Sequence, residues 1–258
     1  MARVSRTAQR VAALRAQFER PHSPDGDPGV QAGLSRGMRP GPALRLRDHL
    51  LTRTEFFDGA VLDALTRGVD QVVIVGAGYD DRAQRFRKPG VLFFELDHPA
   101  TQADKRRRLR SIDAAMDDVV FVPADFRVHA VADVLLAAGH DAARPTLFVC
   151  EGLLVYLEPD DIVALLGGLA ARAGASSMLA VSVAVHADGE DSAEVARAAN
   201  RSRRRAGRRE PWRTILPRSE HLALLHDAGW AEYEAVDDAE LRPEARAGRS
   251  LLVLAHPA

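Results

Sequence analysis

The sequence predicts an α/β fold: a mostly parallel, seven-stranded β-sheet flanked by helices. Between residues 71 and 185, five short apolar stretches alternate with helical patterns, which is typical of consecutive βαβ units. Residues 72–75 form a β-branched run without polar alternation, as expected of a central parallel strand buried on both faces. With 258 residues the chain is near the upper size of one hydrophobic core, so one globular unit is expected.

The composition argues against several classes of function. A formal net charge of −1 gives no reason to expect a nucleic-acid partner. The apolar runs are shorter than the roughly 20 residues that a membrane span needs, so no membrane association is expected. Cys150 is the only cysteine, which excludes a disulfide framework and a thiolate metal cluster and favours a reducing, cytoplasmic location. A small-molecule substrate is the expected partner, and the oligomeric state is left open.

Residues 1–68 are predicted to form a helical cap or lid on the ligand side of the sheet. Val11, Leu14 and Phe18 make a helical apolar stripe that Pro21 ends, which predicts a docked helix. The arginine-rich composition of this segment leaves a transit peptide as the alternative. Residues 21–43 are loop-like, and a second helical pattern covers residues 44–65.

Residues 69–258 are predicted to form the core. The strands after the first are expected at residues 91–97, 119–125, 146–152 and 177–185, with two more, antiparallel at one edge, at 232–237 and 250–257. Helices are expected at residues 100–110, 128–138 and 159–172.

A polar insertion at about residues 186–216 follows the fifth strand. It contains a cluster of six arginines: Arg201, Arg203, Arg204, Arg205, Arg208 and Arg209. A solvated face is the simplest interpretation, and contact with an anionic substrate or partner is the alternative.

A glycine turn and four acids mark the carboxyl ends of the predicted strands. Gly76, Ala77 and Gly78 follow the first strand, where glycine lets the backbone approach a ligand closely, although two glycines alone are a weak signal. Four acids end four successive strands: Asp80, Asp97, Asp125 and Glu151. The carboxyl edge of such a sheet binds ligands. Asp97 lies 21 residues after Gly76, close to the spacing at which a carboxylate accepts both ribose hydroxyls.

The acids favour one nucleotide cofactor over another. A dinucleotide site usually has a third glycine where the pyrophosphate meets the helix, whereas this chain has Asp80 and Asp81 there. Carboxylates repel phosphate and attract a cation. S-adenosylmethionine lacks phosphate and carries a sulfonium and an ammonium, so it is the predicted cofactor. A dinucleotide-dependent oxidoreductase is the rival, and a protein that binds the cofactor without transferring methyl is the non-enzymatic alternative.

Five motifs give the chain a resemblance to a known family. They are RTEFFD (53–58), VVIVGAGYDDRAQRF (72–86), FFELDHPATQADKRRRL (93–109), VPADFR (122–127) and CEGLLVYLEPDDI (150–162). On these motifs the chain resembles the leucine carboxyl methyltransferase and polyketide carboxyl O-methyltransferase family of class I methyltransferases. The resemblance implies a Rossmann-like methyltransferase fold, with its weakest stretches at residues 21–43 and 186–211.

The resemblance also implies roles for individual residues. Arg53 would hold the carboxylate of the cofactor's methionine moiety, and Glu151 would face its ammonium. The glycine turn Gly76–Gly78 would face the cofactor as backbone. Asp97 would bind the ribose hydroxyls, and Asp125 with the backbone of Phe126 would bind the adenine edge. Tyr156 would help to position the acceptor.

Two positions differ from what is common in the family. Asp81 stands where a small hydroxyl residue is commoner, so that it either adds negative charge near the sulfonium or caps the next helix. Cys150 replaces a common alanine and is interpreted as a buried structural thiol.

The predicted function is S-adenosylmethionine-dependent O-methylation of a small carboxylic acid of the natural-product type, in secondary metabolism. A carboxylic acid, with a pKa near 4, is ionised at neutral pH and needs no general base, whereas a phenol, with a pKa near 10, would benefit from one. His186, directly after the fifth strand, is the candidate base, with His98 and His221 as others. Trp212 is either a wall of the acceptor pocket or an anchor of the insertion.

Overall fold

A computed structural model of the chain describes residues 4–40, 44–205, 210–241 and 250–258. These residues contain a seven-stranded sheet in the order β3-β2-β1-β4-β5-β7-β6. The strands are β1 (Gln71–Val75), β2 (Leu92–Asp97), β3 (Val119–Pro123), β4 (Thr146–Cys150), β5 (Met178–Ala184), β6 (Trp230–Asp237) and β7 (Ser250–Pro257). The first five strands run parallel to one another, and β7 runs antiparallel between β5 and β6. The predicted fold class is confirmed, including its antiparallel edge.

Helices flank the sheet and precede it. They are α1 (Arg6–Arg15), α2 (Val30–Leu34), α3 (Leu44–Thr66), α4 (Arg82–Arg85), α5 (Pro99–Arg110), α6 (Val131–Ala137), α7 (Pro159–Ala170), α8 (Ser192–Arg205), α9 (Arg218–Asp227) and α10 (Asp238–Leu241), with a 3₁₀ turn at Leu154–Tyr156. No helix in the described part of the chain is both long and apolar enough to span a bilayer.

Two helix predictions differ from the structure. The helix expected at residues 128–138 begins only at Val131, because a turn precedes it, in which Val128 N and His129 N both donate to Asp125 O. The stretch at residues 21–43 was predicted to be a loop, yet Val30 and Leu34 are buried within the short helix α2. Proline and glycine dominate this stretch and obscure its two apolar positions.

The core consists of two apolar layers, one on each face of the sheet. One layer contains Phe94, Phe148 and Trp230, and the indole N–H of Trp230 donates to Leu166 O at 2.9 Å in α7. The other layer packs Phe57 and Val61 of α3 against β1 and β4. Burial of large aromatic side chains contributes most to such layers.

The helix α3 was expected to lie over the ligand side of the sheet. Its residue Arg53 does line the cavity at that edge, while Phe57, Val61 and Leu65 pack on a sheet face. A 23-residue amphipathic helix buries most apolar surface along a face rather than across an edge. The N-terminal helix α1 lies over the glycine turn, where the Ala8 Cβ is 3.1 Å from the place that a Cβ on Gly78 would occupy. The expectation of a docked N-terminal helix is therefore confirmed.

Candidate active site

A cavity of about 470 Å³ lies at the carboxyl edge of the sheet, next to α1 and to residues 210–213. It is lined by every residue predicted to bind the cofactor: Arg53, Gly76, Ala77, Gly78, Asp80, Asp97, Asp125, Phe126 and Glu151. Its volume is in the range of small-molecule and cofactor sites. The fold therefore brings together side chains that are up to about 100 positions apart in the sequence.

The glycine turn after β1 presents bare backbone to this cavity. Gly76 and Gly78 have φ angles of +69° and +51°, a region that glycine occupies without steric cost. A Cβ on Gly76 would meet the Leu153 side chain at 3.1 Å, and one on Gly78 would meet Ala8 at the same distance. The turn therefore requires glycine at both positions, and it leaves room for a ligand against the main chain.

Asp97 ends β2 beside this turn. Its carboxylate accepts a hydrogen bond from Gly78 N at 2.6 Å. Burial raises the pKa of Asp97, while backbone N–H groups of Gly78 and His98 act in the opposite direction. Within the described residues no arginine or lysine forms an ion pair with it, unlike the other three predicted acids. Asp97 is thus the acid of the four whose charge is balanced by backbone dipoles rather than by a cation.

Most of the remaining charge at this edge belongs to a buried ion-pair network. It consists of five arginines and four acids: Arg15, Arg20, Arg53, Arg82, Arg85, Asp58, Asp80, Asp81 and Glu151. Arg82 lies at its centre, with Nε 2.7 Å from Asp58 Oδ1 and Nη1 2.6 Å from Asp80 Oδ2 and 2.7 Å from Glu151 Oε2. Burial alone would lower the pKa of Arg82, but the three carboxylates outweigh burial and hold its pKa well above the ordinary value.

Glu151 is the most heavily paired acid of this network. Besides Arg82, it pairs with Arg53 Nε at 2.8 Å and with Arg15. Burial would raise the pKa of Glu151, but the three guanidinium groups outweigh burial and hold it well below its usual range. The guanidinium group of Arg53 lies against Gly152. A Cβ on Gly152 would come within 3.1–3.2 Å of that group. The pair Arg53–Glu151 thus presents both signs of charge to one cavity.

This pairing removes the charge argument that the sequence suggested. The acids were expected to repel phosphate, but five arginines surround four acids, so the network is not acidic. Arg15 and Arg20 supply two of these cations from the N-terminal segment, and their ion pairs with Asp80 and Asp81 were not predicted from the sequence. The preference for S-adenosylmethionine over a dinucleotide therefore needs other support.

Asp125 and Phe126 line the cavity beyond β3. The Asp125 carboxylate accepts from Arg127 Nε at 3.0 Å and from Nη2 at 2.7 Å. Hydrogen bonds from Arg127 lower the pKa of Asp125 to about 2. Arg127 itself lines the cavity and was not predicted.

The cavity is also lined by Tyr156, Glu210, Pro211 and Arg213, and we call these four residues the acceptor wall, after the role predicted for Tyr156. Arg213 pairs with Glu158. Trp212 lies between wall residues in sequence but does not line the cavity itself.

His186 is not among the residues that line the cavity. Its Nε2 is 2.7 Å from Ser192 Oγ, and its Nδ1 is 2.8 Å from Ala187 O, so both ring nitrogens are engaged outside the cavity. His221 bonds to Ala184 O, and burial lowers its pKa to about 4. His98 does line the cavity, but its Nδ1 accepts from Ala100 N as the N-cap of α5. The structure therefore gives the proposed histidine base no geometric support.

Comparisons with known proteins agree with this site. A family model described as leucine carboxyl methyltransferase matches residues 14–170. The chain belongs to the leucine carboxyl methyltransferase family. A relative from Mycolicibacterium gilvum is 41% identical over 143 residues, covering 55% of this chain and 46% of the relative. One from Mycobacterium tuberculosis (strain H37Rv) is 35% identical over 194 residues, covering 72% and 63%. Both are provisionally named S-adenosyl-L-methionine-dependent methyltransferases.

The chain spans about half to two thirds of the length of these relatives. Among solved structures, a protein from Thermobifida fusca provisionally described as a methyltransferase aligns with a TM-score of 0.62 at 15% identity, over 96% of this chain and 94% of that one. Magnesium protoporphyrin IX methyltransferase from Synechocystis, with bound S-adenosylhomocysteine, aligns with a TM-score of 0.57 at 14% identity, over 84% and 89%. These two likenesses show the fold.

Asp81 does not line the cavity. Its predicted capping role is wrong, because its side chain forms no capping bond to α4. Instead it holds Arg20 through two hydrogen bonds of 2.8 and 2.6 Å and lies 3.3 Å from Arg85 Nε. Burial opposes ionisation, but Arg85 and Arg20 lower the pKa of Asp81 to about 2. Asp81 therefore fastens the N-terminal segment to the family's glycine turn.

Cys150 has the burial expected of the structural thiol that was predicted for it. It is fully buried, and burial raises the pKa of its thiol to about 12. Across the described residues, no group of three or more histidine, cysteine or acidic side chains has the arrangement of a metal site.

Sequence reasoning missed Arg15, Arg127 and Glu210 as cavity residues. Arg15 follows the apolar stripe of α1 directly, so its position at the buried end of a docked helix is the one signal that pointed to it. Glu210 and Arg127 carry no such signal, because each lies in a connection whose path depends on the finished fold.

Proposed function

We propose that the chain is an S-adenosylmethionine-dependent O-methyltransferase whose acceptor is a small molecule with a carboxylate. The observation that carries the proposal is the single cavity in which the glycine turn, Asp97 and the Arg53–Glu151 pair lie together with the acceptor wall. The names of the curated relatives support both the cofactor and the reaction class.

The residues present fit this cofactor. The turn at Gly76 and Gly78 lines the cavity with backbone that carries no side chain, and Asp97 offers a carboxylate that no arginine or lysine of the described residues pairs with. Arg53 and Glu151 match the carboxylate and the ammonium of a methionine moiety, since an arginine fork suits a carboxylate. When bound, S-adenosylmethionine supplies an electrophilic methyl group.

The contribution of the chain is orientation rather than proton transfer. The acceptor wall would hold the nucleophilic oxygen at roughly 3–3.5 Å from the methyl group and exclude water. A carboxylic acid is already ionised at neutral pH, so it needs no base. This agrees with His186, whose two ring nitrogens both bond outside the cavity.

A hydroxyl or phenol acceptor is the second candidate, and one observation favours it. Glu210 lines the cavity at the acceptor wall and forms no ion pair within the described residues. A carboxylate in that place is a candidate base for an acceptor whose proton must be removed.

The test uses labelled S-adenosylmethionine with pairs of acceptors that share one ring and differ in bearing a carboxylate or a phenol. We expect mass spectrometry to find methyl esters. Methyl ethers in their place would favour the second candidate and a role for Glu210. Binding of S-adenosylhomocysteine in calorimetry with no product from any pair would contradict methyl transfer. Tight NAD binding without a response to S-adenosylhomocysteine would contradict the proposal entirely.

A further inference from the structure

Arg203 differs from the other described arginines of the predicted cluster. Arg201, Arg204 and Arg205 are exposed on α8, as a solvated face predicts, whereas Arg203 is only 6% exposed. Arg208 and Arg209 lie outside the described residues. In the described part of the chain no carboxylate forms an ion pair with Arg203. Burying a guanidinium group without a counter-ion is costly, so its position calls for a compensating interaction.

The compensation comes from a carbonyl and two aromatic rings. Nε and Nη2 of Arg203 both donate to Glu210 O, at 3.3 and 2.8 Å. Its Cζ lies 4.6 Å from the ring centroid of Trp212 and 5.6 Å from that of Tyr156, both within cation–π range. Arg203 therefore touches the two halves of the acceptor wall, Tyr156 on one side and the Glu210 segment on the other.

A second residue of α8 holds the same segment. Asn200 Nδ2 donates to Trp212 O at 2.7 Å, and Trp212 N donates to Asn200 Oδ1 at 2.8 Å. On the opposite side, Arg213 N donates to Val155 O at 2.7 Å. Residues 210–213 are thus held between α8 and the 3₁₀ turn that carries Tyr156.

Neither Arg203 nor Asn200 lines the cavity, and Trp212 does not line it either. Any effect of these residues on the acceptor must therefore pass through Tyr156, Glu210, Pro211 and Arg213. Asn200 touches only one half of the wall. Arg203 touches both, and this makes it the residue that fixes their relative position.

We propose that Arg203 is a positioning residue for acceptor recognition, which acts by holding Tyr156 and residues 210–213 together as one wall. This proposal rests on the proposed function, because only a methyltransferase gives the acceptor wall an acceptor to bind. It also settles the question of Trp212: the indole supports the wall from behind instead of contacting the acceptor. The insertion after β5 thereby acquires a role in substrate selection.

The test compares Arg203→Gln, Arg203→Lys and the exposed control Arg204→Gln. Glutamine keeps a donor for Glu210 O but loses the charge over the rings, whereas lysine keeps the charge without the planar fork. For the carboxylate or phenol that gives most product, we expect Arg203→Gln to raise KM about tenfold, with a smaller change in kcat. Arg203→Lys should recover part of this loss, and Arg204→Gln should match the wild type. S-adenosylhomocysteine affinity in calorimetry should stay within about twofold in all three.

A second readout needs no acceptor. The chain has two tryptophans, and Trp230 is fully buried, so acrylamide quenching of fluorescence reports mainly on Trp212. We expect stronger quenching in Arg203→Gln than in the wild type and the control. Unchanged quenching, or an equal loss of stability, cofactor affinity and turnover, would overturn the positioning role. A wild-type chain that does not bind S-adenosylhomocysteine would contradict the proposed function, and quenching would still decide whether Arg203 fixes the wall.

Discussion

Replacing Asp81 with serine tests the ion-pair network most directly. The change keeps a small polar side chain, and it removes a carboxylate that is almost fully buried. Arg20 would lose both of its short hydrogen bonds, of 2.8 and 2.6 Å. Arg85 would keep Asp58, at 2.8 Å, and the carbonyl of Pro21. The variant therefore leaves one buried guanidinium group, that of Arg20, without its acid.

The expected loss can be estimated in two ways. Removing one partner of a buried ion pair costs about 3–5 kcal/mol of unfolding free energy. A carboxyl group whose pKa falls from 3.8 to about 2 on folding contributes about 2.5 kcal/mol at neutral pH. We expect Asp81→Ser to lower the free energy of unfolding by about 2–4 kcal/mol at pH 7.

The sign of the pH dependence follows from the lowered pKa. The folded-state pKa of Asp81 lies below its unfolded value, so its stabilising contribution is complete above about pH 4 and is lost as the pH falls toward 2. The difference in unfolding free energy between wild type and Asp81→Ser should therefore shrink mainly between pH 4 and pH 2.

Urea unfolding measures these quantities, and the exposed pair Asp63–Arg67 on α3 supplies the matched control. Asp63→Ser should cost less than about 1 kcal/mol. For the double variant Arg20→Met/Asp81→Ser, we expect a coupling energy between the two substitutions of about 2 kcal/mol. Once Arg20 is replaced, the loss of Asp81 no longer leaves a buried guanidinium group without a carboxylate. Equal losses for Asp81→Ser and Asp63→Ser, or a coupling energy near zero, would refute the reasoning.

Three further predictions concern the cavity and its surroundings. Asp97→Asn should weaken S-adenosylhomocysteine binding at least about tenfold in calorimetry. In the wild type, lowering the pH should weaken binding at a higher pH than an ordinary aspartate would cause, because burial raises the pKa of Asp97, and a flat pH profile would contradict this. Gly78→Ala should lower stability by more than the roughly 1–2 kcal/mol expected for Gly139→Ala. Both glycines have positive φ, but only a Cβ on Gly78 would also meet Ala8. Equal losses in urea unfolding would contradict this close approach of Ala8 to Gly78. The Cys150 thiol should react with a disulfide reagent at pH 8 only after unfolding, because its pKa is about 12, and labelling of the native chain would contradict its burial.

The strands could be predicted from the sequence because each has its own local signal. The unbroken run at β1 and the acid at the end of β2 depend on neighbouring residues alone. The position of β7 between β5 and β6 has no such signal, since two antiparallel tail strands fit the edge in either order. Local patterns also do not determine on which side of the sheet a helix packs, so the packing of Phe57 and Val61 of α3 on a sheet face could not be predicted.

The site was predicted in part for the same reason. The glycine turn, Asp97 and Glu151 stand at strand ends, so the topology alone brings them to one edge. His186 also follows a strand, yet its ring nitrogens bond to Ser192 and Ala187. Being near an edge in sequence does not determine which neighbours a side chain meets. The partners of Glu151 were unpredictable, because Arg15 reaches it across 136 positions of chain.

The ion pair between Arg53 and Glu151 limits how much these two charges can contribute to cofactor affinity. The amino-acid end of the cofactor carries one ammonium and one carboxylate, so the entry of that end adds no net charge beside Arg53 and Glu151, and the sulfonium alone gives the cofactor its net positive charge. Arg53 and Glu151 already neutralise each other at 2.8 Å, and the ligand would exchange that contact for one of its own with each residue. Because Arg15 and Arg82 remain with Glu151, its carboxylate stays compensated during the exchange. The net gain from charge at the amino-acid end is then small, so we expect selectivity for this cofactor over a phosphate-bearing one to depend on the sulfonium, on the bare backbone at Gly76 and Gly78 and on Asp97.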